Sequence, residues 1–274
     1  MALETRRPAM YPNLIDIGFL HIRTYGACMA TGFLVCWWLF ERLCGRKDLS
    51  NLLFALLLSG VVGSRIAYVV EHWSSEFAAS PLSVVRVDQG GLMFYGGLIL
   101  ALVVYVAWCA AKGENPIALG DHLAAVIPLG HAFGRIGCFF FGCCYGRASD
   151  SAFAVRFPRF SPAWCEQVHS GELSRTAAES LPVLPTQLFE SAALLALFAV
   201  LLAVHRRSRG LPGMTLGAYL AGYGAIRFAL EYLRGDPRAA VGPLSIGQAI
   251  SVGMCALGAA AMSYAISRRG KDGR

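Results

Sequence analysis

Apolar residues in this chain gather into long runs that short polar turns separate. Seven such windows cover residues 24–43, 52–73, 92–111, 118–140, 187–204, 214–232 and 244–266. A helix needs about 20 mostly apolar residues to cross the hydrocarbon core of a bilayer, and each window is close to that length. The pattern therefore predicts an all-α integral membrane protein with about seven transmembrane helices. We expect them to form a single transmembrane domain over residues 1–274.

One long segment interrupts this pattern. Residues 146–185 contain several prolines and charges of both signs. Such a segment is too polar to enter lipid, since nothing in the hydrocarbon core can solvate its polar groups. We therefore expect residues 146–185 to form a lobe on one membrane face, between the fourth and fifth spans.

The composition supports a membrane location. Hydrophobic residues make up 56% of the chain and charged residues only 15%, whereas soluble domains are about 25% charged. The net charge of +7 comes from 21 Arg and 3 Lys against 17 acidic residues. This excess suits anionic lipid headgroups at least as well as nucleic acid. Because no basic helix or aromatic-rich basic patch is visible, we expect membrane lipid and not nucleic acid as a partner.

The basic residues also predict an orientation. The connector at residues 205–209 and the tail at 268–271 lie on one side, together with Arg46, Lys47 and Lys112. By the positive-inside rule this side is cytoplasmic, which places the N-terminus and the lobe outside and the C-terminus in the cytoplasm. The N-terminal segment lacks an apolar core with a cleavage site, so we expect the first span to serve for targeting.

Three arginines lie within or at the edge of apolar windows: Arg65, Arg135 and Arg227. An unpaired Arg at the bilayer centre costs about 2.5–3.5 kcal/mol on insertion scales, so these side chains should face the bundle interior, a cavity or a headgroup. One interpretation is snorkelling from a helix end or an internal ion pair. The other is an anionic ligand.

The neighbours of these arginines favour the ligand. One helix face carries the neighbours of Arg227: Tyr223, Glu231 and Arg234. His131 lies one turn before Arg135. A guanidinium binds phosphate oxygens in a bidentate manner and keeps its charge at any relevant pH. The phosphate of a lipid headgroup is therefore the predicted ligand.

Several motifs then follow one another along the chain. They occupy residues 23–26, 63–68, 91–98, 134–147, 185–190, 223–234 and 245–248. In this order they resemble the motifs of the prolipoprotein diacylglyceryl transferase family. The segment 134–147 resembles the family signature Gly-Arg-x-Gly-Asn-Phe-x-Asn-Gly-Glu-x-x-Gly, and 91–98 resembles Gly-Gly-Met-Ser-Phe-His-Gly-Gly-Leu. The resemblance covers nearly the whole chain.

This resemblance implies the first step of bacterial lipoprotein maturation, in the inner membrane and without a cofactor. The diacylglyceryl group of phosphatidylglycerol would pass to the lipobox cysteine in the signal peptide of a prolipoprotein, forming a thioether and releasing glycerol phosphate. The expected catalytic residues are Arg135, Arg227, Tyr223, Tyr25 and Tyr95. The expected substrate-binding residues are Arg65, Gly146, Gln187, Glu231 and Arg234. Arg135 and Arg227 would contact the lipid phosphate.

The sequence departs from the family pattern where the chemistry is expected. The family histidine is Tyr95 here, the two signature Asn residues are Cys138 and Phe141, and the signature Glu is Cys143. Forming a thiolate at pH 7 from a thiol of pKa about 8.5 costs about 2 kcal/mol. A well-placed general base contributes about 10²–10⁴ in rate, so the loss of the histidine is compatible with a weakened enzyme. His131 is a further candidate for the base.

The cluster Cys138, Cys143 and Cys144 allows three interpretations. The cysteines could be compact packing residues, a structural or redox disulfide with Cys138 or Cys165 as the partner, or metal ligands. Their spacing matches no CxxC…CxxC or Cys/His pattern, so no metal site is predicted.

Two rival functions remain open. One is a membrane thiol oxidoreductase that uses this cysteine cluster. The other is a non-catalytic paralogue that binds phospholipid through the same arginines.

Overall fold

The computed structural model describes residues 13–17, 20–78, 80–86, 90–208, 210–235 and 240–272. Within these ranges the chain forms eight α-helices and two short antiparallel strand pairs. The helices are α1 (Thr24–Cys44), α2 (Ser50–Glu71), α3 (Phe94–Lys112), α4 (Pro116–Phe141), α5 (Pro162–His169), α6 (Thr186–Arg207), α7 (Met214–Glu231) and α8 (Ile246–Asp272). The strands are β1 (Asn13–Ile17) with β2 (Leu20–Arg23), and β3 (Ala240–Val241) with β4 (Leu244–Ser245). A π-helical turn (Trp73–Phe77) and a 3₁₀ helix (Pro81–Val85) follow α2.

The prediction of an all-α integral membrane protein is confirmed. In the described part of the chain, six helices are long and apolar enough to cross a membrane, namely α1 to α4, α6 and α8. The seventh predicted window is the 18-residue helix α7, which does not reach the same apolarity. Its polar residues include Arg227 and Glu231, and it packs against α6 and α8.

The chain divides into two compact units, and the prediction of one transmembrane domain stays a prediction. The smaller unit covers residues 40–119 and contains α2 and α3. These helices touch through glycines, because a Cβ on Gly63 would lie 2.5 Å from the carbonyl oxygen of Gly96. Small residues thus allow direct contact of backbones.

The larger unit joins residues 1–39 with residues 120–274. Glycines also allow the backbones of α7 and α8 to approach closely. A Cβ on Gly217 of α7 would lie 2.8 Å from the carbonyl oxygen of Gly258 on α8. The N-terminus of α7 is held by the buried Asp121 of α4. Its carboxylate accepts hydrogen bonds from the backbone N–H groups of Gly213 at 2.8 Å and of Leu216 at 2.7 Å.

The segment between α4 and α6 has a small core of its own. Tyr145, Phe157, Ala163 and Val183 are all buried there. The hydroxyl of the fully buried Ser180 accepts a hydrogen bond from the backbone N–H of Phe157 at 2.9 Å. This segment therefore has buried residues of its own, while its assignment as a lobe stays a prediction. The membrane face on which it lies stays a prediction.

Candidate active site

Arg135 of α4 forms a buried ion pair with Glu190 of α6. Its Nε lies 3.2 Å from Oε1 of Glu190, whose side chain is only 1% exposed. The same Nε donates to Nε2 of His131 at 3.2 Å. The Nε2 lone pair of His131 faces the guanidinium of Arg135. Nε2 of His131 therefore has a hydrogen-bond partner other than a substrate thiol. Glu190 offsets the cost of burying the Arg135 charge.

Arg227 of α7 has a different carboxylate partner. Its Nη2 lies 2.6 Å from Oε2 of Glu231, one turn further along the same helix. The hydroxyl of Ser245 donates to Oε1 of Glu231 at 2.7 Å and so fixes the carboxylate. The Nη1 of Arg227 is buried and has no hydrogen-bond acceptor among the described residues. One edge of this guanidinium is therefore paired, and the other presents a buried donor.

Tyr223 and His131 lie within electrostatic range of both arginines. Their rings are 5.1 Å apart, and the Tyr223 hydroxyl lies within hydrogen-bonding range of Arg135. The two guanidiniums thus flank a small polar cluster inside the larger unit. Glu190 and Glu231 balance these two charges, so the donor that remains for an anion is Nη1 of Arg227.

Gly146 brings the end of the signature segment against two other chain segments. Its N–H donates to the carbonyl of Leu184 at 2.8 Å, and Gly146 forms a β-bridge with Arg234. A Cβ at this position would lie 2.7 Å from the carbonyl oxygen of Leu233 and 2.8 Å from that of Leu184. Only glycine allows this approach, which places Arg234 beside the cysteine cluster.

The three cysteines of the signature segment converge. The Sγ atoms of Cys138, Cys143 and Cys144 all lie within 4.8 Å of one another. Hydrogen bonds from Cys138 and Cys143, together with the nearby Arg234 guanidinium, hold the pKa of the Cys144 thiol below its ordinary value. Gln187 donates to the carbonyl of Cys143 at 2.7 Å. The predicted binding residue Gln187 thus contacts this segment.

Tyr25 of α1 lies on the same side as the cysteines. A Cβ on Gly137 would lie 3.0 Å from the Tyr25 ring, and the rings of Tyr25 and Phe141 are 6.4 Å apart. Tyr25 is 40% exposed and lies within electrostatic range of Cys138. Tyr25 is therefore an exposed residue close to the thiols.

Two predicted site residues, Arg65 and Tyr95, belong to the smaller unit. All three guanidinium nitrogens of Arg65 donate to backbone carbonyls. These carbonyls are Ser83 at 2.9 Å, Val84 at 2.8 Å, Gly90 at 2.9 Å and Gly91 at 3.1 Å. Arg65 thus fastens the segment before α3, while Tyr95 at the start of α3 is 61% exposed. Their contact with substrate stays a prediction.

Comparison with known proteins decides the family. The family model of prolipoprotein diacylglyceryl transferase matches residues 12–264. The chain belongs to the prolipoprotein diacylglyceryl transferase family. The phosphatidylglycerol–prolipoprotein diacylglyceryl transferase of Vibrio vulnificus (strain CMCP6) is 35% identical over 274 residues, covering 95% of this chain and 93% of the relative. That of Vibrio cholerae serotype O1 (strain M66-2) is 34% identical over the same shares.

As a member of the diacylglyceryl transferase family, the chain holds its signature arginine in an ion pair that its motifs did not predict. Glu190 was not among the expected site residues, although a carboxylate inside an apolar window signals a buried partner. Cys144 was expected only as a member of the cysteine cluster, and its positive φ of 61° is invisible in the sequence. Ser245 belongs to the motif at 245–248, but its contact with Glu231 depends on the meeting of α7 and β4.

Proposed function

We propose that this protein transfers the diacylglyceryl group of phosphatidylglycerol to the thiol of a prolipoprotein cysteine. The family membership supports the reaction. The buried Nη1 donor of Arg227, which has no acceptor within the described ranges, carries the assignment of the phosphate site. A buried donor without an acceptor costs about 1–3 kcal/mol, and a phosphate oxygen would supply the missing acceptor.

The arginine pair suits the charge that develops in this reaction. As the bond from the glyceryl carbon to the phosphate oxygen breaks, negative charge grows on the leaving glycerol phosphate. Arg135 and Arg227 hold fixed positive charge in a buried site where Glu190 and Glu231 orient them. Such preorganised donors stabilise a transition state more than water does, because they need no reorganisation. Tyr223 would orient the phosphate between the two guanidiniums.

The acceptor is expected to be the lipobox cysteine of a signal peptide. Its thiolate would attack the glyceryl carbon, form a thioether and displace glycerol phosphate. We further propose that the protein lies in the bacterial inner membrane with its N-terminus outside and its C-terminus in the cytoplasm. The basic connector at residues 205–209 and the tail at 268–271 support this orientation.

Reconstitution tests the proposal directly. The full chain in vesicles containing phosphatidylglycerol would be given a lipobox peptide, and the product would be read by mass spectrometry. We expect a peptide mass raised by one diacylglyceryl group, and no product from a peptide with Ser in place of the acceptor Cys. We expect Arg227→Gln to lower the rate by about tenfold to hundredfold, the cost of one charge-assisted hydrogen bond. Arg175→Gln, in the lobe, is the matched control.

The same experiment separates the rival functions. Phosphatidylglycerol binding without any product, under conditions where an authentic enzyme works, would favour a non-catalytic lipid-binding paralogue. Thiol labelling with and without reductant tests the oxidoreductase, because a redox enzyme must cycle its cysteines between thiol and disulfide. Thiols that stay free in every condition would exclude it. Rescue of a bacterial strain depleted of its own enzyme is the test in the cell.

A further inference from the structure

The signature segment of this chain carries a triangle of thiols. Cys138 lies in the last turn of α4, and Cys143 and Cys144 follow directly after the helix. Their Sγ atoms lie within 4.8 Å of one another, and each thiol is within hydrogen-bonding range of the other two. All three residues are partly exposed, so a further ligand can approach.

Buried side chains of α6 hold this triangle in place. The amide of Gln187 donates to the carbonyl of Cys143 at 2.7 Å, and the hydroxyl of Thr186 donates to the carbonyl of Cys144 at 2.9 Å. Gln187 is 0% and Thr186 is 1% exposed. Cys144 has a φ of 61°, a conformation that non-glycine residues rarely adopt. The backbone is thus held in an uncommon conformation that allows two adjacent cysteines to face a third.

The size of the triangle fits a metal ion. A tetrahedral zinc ion with Zn–S bonds of about 2.3 Å places its sulfur ligands about 3.8 Å apart. Three Sγ atoms within 4.8 Å of one another need only small side-chain movements to reach that spacing. A disulfide would require one pair to close to about 2.05 Å and would leave the third thiol unused. The presence of three close contacts therefore favours a metal over a disulfide.

Two guanidiniums also lie near the triangle. Arg234 lies within hydrogen-bonding range of Cys144, and Arg135 lies within electrostatic range of Cys138. Three thiolates on a divalent ion carry a net charge of −1, which a neighbouring guanidinium neutralises. Thiolate and not thiol is the metal ligand, so nearby positive charge favours binding.

We propose that Cys138, Cys143 and Cys144 bind one zinc ion and leave its fourth coordination position open. Three protein ligands with an open position are the arrangement of catalytic zinc sites. The open position binds a thiol as its thiolate, because coordination to zinc removes the thiol proton.

In the proposed reaction, the fourth ligand is the acceptor cysteine of the prolipoprotein, a step that rests on the function proposed above. Its S–H proton passes to water when the sulfur binds zinc. The zinc-bound sulfur then forms the S–C bond to the glyceryl carbon as the C–O bond to phosphate breaks, and glycerol phosphate leaves with the electron pair. Zinc keeps its oxidation state throughout. Zinc would thus activate the acceptor thiol in place of the family histidine, whose position is occupied by Tyr95 in this chain.

Metal binding can be measured without any activity. The reduced full chain in nanodiscs would be titrated with Co²⁺ and Cd²⁺, whose thiolate complexes absorb in the ultraviolet, and then with Zn²⁺ as competitor. We expect one ion per chain. We expect Cys138→Ser and Cys144→Ser to weaken binding by about a hundredfold or more, since even second-shell changes cost about 10–100-fold. Cys165→Ser, at an exposed cysteine of the lobe, is the matched control.

A second arm tests the open position. Adding a lipobox peptide to the Co²⁺ form should change its thiolate absorption, while the Ser peptide should leave it unchanged. If all three thiols are reduced and no metal binds, the zinc site is overturned and the transferase proposal stays intact. A disulfide within the cluster of freshly isolated protein would also overturn it. Metal and peptide binding without lipidated product would instead sustain the zinc site and contradict the transferase.

Discussion

Oε1 of Glu190 lies 3.2 Å from Nε of Arg135, and the Glu190 side chain is only 1% exposed. The carboxylate comes from α6 and the guanidinium from α4, so the pair joins two helices that the sequence separates by 55 positions. Because Glu190 contacts the Nε edge, it orients the guanidinium as well as balancing its charge. This contact makes Glu190 a positioning residue for the expected phosphate site.

Replacing Glu190 with Gln should therefore impair catalysis more than lipid binding. The substitution keeps the shape of the side chain but removes the charge that pairs with Arg135, and so leaves the buried guanidinium without its counter-charge. We expect kcat to fall by about tenfold or more while KM for phosphatidylglycerol changes less. Steady-state kinetics in mixed vesicles measure both. Glu172→Gln, at an exposed position of the lobe, should behave like the parent protein, and parental kcat for Glu190→Gln would contradict the positioning role.

Gly146 should tolerate no side chain. A Cβ would meet the carbonyl oxygens of Leu233 and Leu184 at 2.7 and 2.8 Å, and backbone atoms cannot move aside as a flexible side chain can. We expect Gly146→Ala to lower the free energy of unfolding by about 1–3 kcal/mol, the usual cost of overpacking. Thermal unfolding in detergent measures the change. In Gly253→Ala the new Cβ would have no atom within 4 Å, so this variant should match or exceed the parental stability, since Ala favours a helix over Gly. Equal melting temperatures for both variants would contradict the contact.

Asp121 should be a strong cap because it is buried. Its carboxylate accepts from the N–H groups of Gly213 and Leu216 at the start of α7. Asp121→Ala leaves both donors without this partner, and we expect a loss of about 2 kcal/mol or more. Asn115 caps α4 in the same way but is exposed, so Asn115→Ala should cost only about 0.5–1 kcal/mol. Denaturation of the two variants side by side measures the difference, and a larger effect at Asn115 would refute this account.

Arg65 should act on the segment that precedes α3. Its guanidinium reaches four carbonyls, and a lysine ammonium cannot span them all. We expect Arg65→Lys to accelerate hydrogen exchange around Ser83 and Val84 by about a hundredfold, which corresponds to about 3 kcal/mol of lost hydrogen bonding. Arg86→Lys, at an exposed position of the same segment, is the control. A raised KM for phosphatidylglycerol with unchanged exchange would show instead that Arg65 binds the phosphate.

The sequence determined the helical membrane fold and the candidate arginines. Hydrocarbon penalises each unpaired polar group locally, so the apolar windows and the arginines inside them are visible without a structure. The order of the motifs likewise determined the family. Even α7, which is less apolar than the six other long helices, was predicted from its pattern.

Only the tertiary structure decided which groups meet. Glu190 of α6 pairs with Arg135 of α4, and Arg65 is bound to backbone carbonyls that no side-chain pattern reveals. The thiol triangle depends on one residue, Cys144, with a positive φ and on two buried hydrogen bonds from α6. Such contacts join segments that are distant along the chain, and their geometry follows from packing, whereas hydropathy depends on each segment alone.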